Sequence, residues 1–265
     1  MPREPLTTVT HSPDGGPRGT LVLLHGLTDN GASWADAVQR WTSSGWTVVT
    51  VDARGHGHSP RWEAEDLASH PGDVMADDVV HLVAGLAPVA LVGHSMGAGV
   101  AVATAAVAPE GIWAVVAEDP PFTLPPRQRD DDRARQYLES HADDLATPRR
   151  TRIERCRIEH PRWPASELAP WAEADEQCDD ALLATGDVVP STPWPDLVGR
   201  VSRAAVPLLV VTGEHDVLVD PSSEITARQH GADVVRVAGA GHCVRRDAGA
   251  AYHAAVDAFL HHHSP

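Results

Sequence analysis

The chain has 265 residues, enough for one large α/β domain with an insertion and a full core. Its 37 acidic residues against 21 basic ones give a formal net charge of −16, which argues against a nucleic-acid partner because a phosphate backbone calls for a positive footprint. Every basic residue is arginine and none is lysine, so covalent chemistry through a lysine Schiff base is excluded.

Cys156, Cys178 and Cys243 form an odd set without metal-type spacing, which implies neither a disulfide framework nor a zinc site; a Cys156–Cys178 bridge is the pairing left open. Residues 1–5 lack the apolar core of a secretory signal, and no run has the length of a membrane span. A cytoplasmic protein with no membrane partner is therefore expected, with residues 261–263, three histidines, as a frayed end.

Along the chain, residues 6–11 read as an early antiparallel strand, followed by a turn at Pro13-Asp14-Gly15-Gly16. Four apolar runs of the buried parallel type follow at 20–24, 46–51, 89–92 and 112–117, with helical stretches at 33–41, 74–86 and 98–107 between them. Val79, Leu82, Val83 and Leu86 recur at helical spacing in the second of these. Strands alternating with helices predict a parallel sheet covered on both faces.

The rhythm breaks at Asp119-Pro120-Pro121 and resumes only at residue 206. The stretch between is rich in Arg, Asp, Glu, Pro and Trp, with helices expected at 130–141 and 149–160 and with Trp163, Trp171 and Trp194 punctuating it. An insert of this length in a compact domain reads as a functional cap, here residues 120–203, leaving 1–119 and 204–265 as the core. Its tryptophans read as pocket lining or as anchors of the cap helices. Beyond it come a strand at 208–212, a helix at 221–230 that starts with proline, a strand at 234–238 and a closing helix at 248–260.

Ser95 stands in Gly93-His94-Ser95-Met96-Gly97, directly after a strand and before a helix. In that context a G-x-S-x-G pentapeptide is a nucleophile elbow, with glycines that let strand and helix approach each other. A serine hydroxyl needs a base, and the base needs an orienting acid. His242 in Gly241-His242, after the last strand, and Asp216 in Gly213-Glu214-His215-Asp216, after the strand at 208–212, supply them in the chain order Ser, Asp, His. The amide of Met96 and one amide from His25-Gly26-Leu27, assigned to Leu27, are the expected oxyanion donors. Asp220 reads as a helix cap before Pro221.

These stretches, with Leu23-Leu24-His25-Gly26 and the run from Asp52 to Ser59, resemble the α/β-hydrolase superfamily in its branch of esterases, lactonases, C–C hydrolases and cofactor-free haloperoxidases. The resemblance implies an α/β fold with a mostly parallel eight-stranded sheet, helices on both faces, a Ser-His-Asp triad, an inserted helical cap, and no cofactor or metal. It leaves Asp119 and Glu118 as alternative acids, since some members carry the acid after the strand that precedes the cap. It also implies structural roles for His25, His56, His58 and His94, and a loop-holding role for Asp52. Serine at position 95 excludes the carboxylate-nucleophile branches.

The expected activity is cleavage of an ester or lactone of a small apolar molecule. C–C hydrolysis, perhydrolysis and acyl transfer are the enzymatic alternatives, and a ligand-sensing receptor is the non-enzymatic one. A homodimer is left open.

Overall fold

The computed structural model describes residues 4–123 and 131–265. Seven strands form one sheet in the order β1-β3-β2-β4-β5-β6-β7: β1 (Thr8–His11), β2 (Thr20–Leu24), β3 (Thr47–Val51), β4 (Val89–His94), β5 (Ile112–Glu118), β6 (Leu208–Thr212) and β7 (Asp233–Arg236). Only β1 runs antiparallel, on the edge beside β3. Among the described residues the sheet has one strand fewer than the eight expected.

Alternation along the strands explains the two-sided packing. Val22 and Leu24 of β2 join one apolar core, while Leu21 and Leu23 join the other. The first core is covered by α3 (Pro71–Ala84), α4 (Met96–Val107), α9 (Trp194–Arg203) and α10 (Pro221–Gln229), with short α2 (Ala64–Leu67) at the start of α3. The second is covered by α1 (Ala35–Ser43), through Trp41, and by α12 (Gly249–His263), through Tyr252, Val256, Phe259 and Leu260. Short α11 (Val244–Asp247) precedes α12. Residues 261–263 continue α12 rather than fray, and Arg18 bonds the His261 ring at 2.8 Å.

Small residues let α4 sit deep. Each of its first ten residues is buried, and a Cβ on Gly97 would lie 2.3 Å from the Leu24 carbonyl oxygen. Sinking this helix against the sheet brings its N-terminus to the carboxyl edge of the strands, where open α/β sheets bind ligands.

Between β5 and β6 the chain forms α5 (Asp131–Ala146), α6 (Arg149–Glu159), α7 (Ala165–Ala174), α8 (Asp180–Leu183) and then α9. Residue 130, the expected start of the first of these, lies outside the described residues. Sequence periodicity missed α7, because Pro170 inside it reads as a breaker, and α9, which lies in a stretch of short apolar pairs. Buried charge ties the insert to the core: Glu167 of α7 accepts from Arg246 Nε at 2.7 Å, and Arg246 also bonds Asp29 at 3.0 Å. Cys156, Cys178 and Cys243 are all free thiols.

Candidate active site

Ser95 follows β4 with φ 52° and ψ −117°, a left-handed backbone that side chains avoid. Holding it there costs on the order of 1–3 kcal/mol, which the surrounding packing must outweigh. Gly93 makes room on one side, since a Cβ there would meet the Gly97 oxygen at 2.3 Å. On the other side, a Cβ on Gly26 would lie 2.9 Å from His94 Nδ1 and 3.3 Å from Ser95 Cβ, so the loop after β2 runs directly beside the serine. The Ser95 amide donates to the Glu118 oxygen at 2.9 Å, tying the turn to β5.

That loop is fixed by His25. Its Nδ1 bonds the Gly26 oxygen at 2.8 Å and its Nε2 accepts from the Ala53 amide at 2.9 Å, a pattern that places the ring proton on Nδ1. Burial lowers its pKa, as suits a neutral ring. His56 packs edge-on against His25 and is pushed down to about 3 by burial. His94 is buried beside His242, with ring centroids 4.8 Å apart, and burial holds it well below the ordinary range. All three therefore stay uncharged at neutral pH. His58 is exposed. Asp52 accepts from the Gly31 amide at 2.8 Å and the His58 amide at 2.9 Å, while Arg54 pairs with Asp78 at 2.8 Å.

His242 Nδ1 lies 2.5 Å from Oδ2 of Asp119. The carboxylate accepts in this contact, which puts the ring proton on Nδ1 and leaves Nε2 as an acceptor. Asp119 is fully buried at the end of β5, with φ 40°. It also receives Thr212 Oγ1 at 2.7 Å, the Leu218 amide at 2.9 Å and the Val219 amide at 3.2 Å.

Asp216 is not brought to this group. Its side chain is 96 % exposed on a turn with φ 51°, and its nearby ion partner is His215 at 3.6 Å. The loop after β6 does approach the histidine loop, for a Cβ on Gly213 would meet the Gly241 oxygen at 2.3 Å, but it turns the Leu218 and Val219 amides inward instead of the aspartate. Glu118 is buried too, yet it accepts from the Arg245 amide at 2.7 Å, and burial raises its pKa. In the sheet register His94 of β4 faces Glu118 of β5, which sets Ser95 and Asp119 at one level just beyond neighbouring strands. Asp220 caps α10, accepting from the Ser223 amide at 2.7 Å.

Ser95, His242, Leu27 and Met96 all line one cavity of about 490 Å³. Its lining also includes Leu183, Val188 and Leu218, as well as Trp163 and Trp171 from the insert; Trp194 instead stacks on Phe122 at 4.2 Å. One face of α5 borders the cavity with Arg133, Gln136, Tyr137, Ser140, His141 and Asp144, a helical stripe made entirely of hydrogen-bonding groups. Among the described residues, no three His, Cys, Asp or Glu side chains gather as metal ligands would, and no helix is long and apolar enough to cross a membrane.

A model of the alpha/beta hydrolase family matches residues 21–255. The 2-(acetamidomethylene)succinate hydrolase of Mesorhizobium japonicum is 31 % identical over 245 residues, which cover 84 % of this chain and 81 % of that protein. A non-heme chloroperoxidase of Kitasatospora aureofaciens is 38 % identical over 89 residues, and a monoacylglycerol lipase of Mycolicibacterium smegmatis 33 % over 117. These two matches span only 30 % and 40 % of the respective relatives. Among solved structures, an E-2-(acetamidomethylene)succinate hydrolase superposes with a TM-score of 0.70 at 25 % identity, covering 96 % of this chain and 95 % of that one. The enol-lactonase of Burkholderia xenovorans gives 0.70 at 21 % identity, covering 96 % of each chain, a likeness of fold alone.

Proposed function

This chain belongs to the alpha/beta hydrolase family, and we propose that it is a serine hydrolase that cleaves an ester or lactone through Ser95, His242 and Asp119. One observation carries the reading: a histidine oriented by a buried carboxylate shares a cavity with a serine held on a strained elbow.

In this reading Ser95 Oγ attacks the carbonyl carbon as His242 Nε2 takes the hydroxyl proton. The amides of Leu27 and Met96 bind the oxyanion, the second aided by the positive end of α4. His242 then gives its proton to the leaving alcohol, and water attacks the acyl-enzyme by the same route in reverse. Asp119 takes the part that sequence reasoning gave to Asp216, holding the tautomer and stabilising the imidazolium. Residues 120–203 act as the cap.

The substrate we infer is not wholly apolar. Leu183, Val188 and Leu218 offer an apolar wall to one part, while Gln136 and Ser140 of the α5 stripe offer hydrogen bonds to another. A second reading, hydrolysis of an acid-bearing amide, is favoured by Arg133 in that stripe together with the relative whose name gives 2-(acetamidomethylene)succinate as its substrate.

A panel of chromogenic short-chain esters, lactones and carboxylate-bearing amides tests both. Turnover of any class that Ser95→Ala lowers by about 10³-fold or more supports the proposed nucleophile. Turnover retained in Ser95→Ala refutes it, and the class turned over fastest decides between the two readings.

A further inference from the structure

The loop that carries His242 is clasped from the insert as well as from the core. On the core side, the Gly239 amide donates to Glu214 Oε2 at 2.8 Å and the Glu214 amide donates to the Ala240 oxygen at 2.7 Å. On the insert side, Arg162 Nη2 donates to the Gly239 oxygen at 2.6 Å. Next to it, Trp163 Nε1 donates to Asp247 Oδ1 at 2.8 Å, and the other oxygen of that carboxylate accepts from the Gly241 amide at 2.8 Å. One carboxylate thus links an indole of the insert to the residue immediately before His242.

Trp163 is held by two ring contacts. It stacks on His160 at 4.4 Å, and the Arg246 guanidinium lies 4.8 Å over its ring, itself held by Glu167 of α7. The same side chain meets Trp171 in a T-shaped pair and lines the cavity that holds Ser95. A molecule that fills the cavity therefore presses on a side chain whose N–H is hydrogen-bonded, through Asp247, to the loop of the base.

We propose that Trp163 and Asp247 are positioning residues: they relay the seating of substrate under the insert to the Gly241 amide and so set His242 for proton transfer. The proposal rests on the triad reading above and adds a link by which the insert governs the rate and not only the fit. Asp247 has no way to serve both donors once it becomes an amide, because Asn presents an N–H₂ to one of two N–H groups. Trp163→Phe keeps an aromatic, though smaller, ring and removes the donor.

The test uses the full chain, with active sites counted by fluorophosphonate titration run to completion, so that every rate is expressed per competent site. Trp163→Phe, Asp247→Asn and the double variant are compared with the unaltered protein on one ester. Displacing the base by a fraction of an ångström predicts kcat per titrated site lowered about tenfold in each single variant, with KM within about threefold. The double variant should be no slower than Asp247→Asn, because both changes break one relay.

A kcat per site within twofold of the unaltered protein, with losses confined to the titrated fraction or the melting temperature, would reduce these residues to structural supports and overturn the proposal. Losses that multiply in the double variant would also overturn it, as two independent effects. Failure of the unaltered protein itself to titrate would contradict the Ser95 reading and this proposal with it, an outcome distinct from either of the others.

Discussion

Replacing Asp119 by asparagine separates the two aspartates most sharply, because the buried carboxylate leaves no orientation of an amide that satisfies its partners. Oδ2 serves His242 and Leu218, and Oδ1 serves Thr212 and Val219. If the N–H₂ replaces Oδ2, it faces the Leu218 amide and forces the His242 proton onto Nε2, where the ring can no longer accept from Ser95. If it replaces Oδ1, Thr212 can rotate to accept, but the Val219 amide is left buried without a partner. That second arrangement costs about 1–3 kcal/mol of stability. Either one removes the negative charge that steadies the imidazolium, and the loss in kcat should be about 10³–10⁴-fold, equivalent to about 4–5.5 kcal/mol at the transition state. Asp216→Asn, on a side chain 96 % exposed, should stay within twofold in kcat and about 0.5 kcal/mol in stability. Steady-state hydrolysis of a chromogenic ester and thermal denaturation measure both. A 10³-fold loss in Asp216→Asn with a mild effect in Asp119→Asn would refute the assignment.

Two further outcomes follow from the buried charges. Glu167→Ala leaves Arg246 in a dry site with Asp29 as its remaining carboxylate partner, so chemical denaturation should register a loss of about 3 kcal/mol. If Glu167→Ala alone is neutral, the ion pair does not anchor the insert. Burial takes the His56 pKa from 6.5 down to about 3, so the fold keeps this ring neutral while the unfolded chain protonates it. A depressed folded value means that the stability it contributes is complete above 6.5 and is lost as pH falls below it, by about 2 kcal/mol between pH 7 and pH 5. His56→Asn should flatten that slope in denaturation curves, and an unchanged slope would contradict the assignment.

The sheet was legible because the parallel strands β2 to β6 are short apolar runs buried on both faces, as with residues 20–24. The helices of the insert were less so, since α7 carries an internal proline and α6 is charged on most of its surface. At the candidate site, the turn that holds Ser95 and the loop that holds His242 follow from local signatures, glycines framing a strand-to-helix turn and a glycine-rich loop after the last strand. The acid does not. Asp119 and Asp216 both stand just beyond a strand, and what distinguishes them is tertiary: the loop after β6 folds its Leu218 and Val219 amides onto Asp119 and leaves Asp216 in solvent. Nor does local pattern reveal that Trp163, Asp247 and Gly241 meet, because 84 residues separate the indole from its acceptor.

The central claim is that the Ser95 hydroxyl is activated by His242. Labelling the intact protein with a fluorophosphonate, followed by peptide mass spectrometry, measures this directly. The account predicts one adduct on the peptide containing Ser95, absent in Ser95→Ala and formed far more slowly in His242→Ala. An adduct on another residue, or an equal labelling rate without the imidazole, would contradict it.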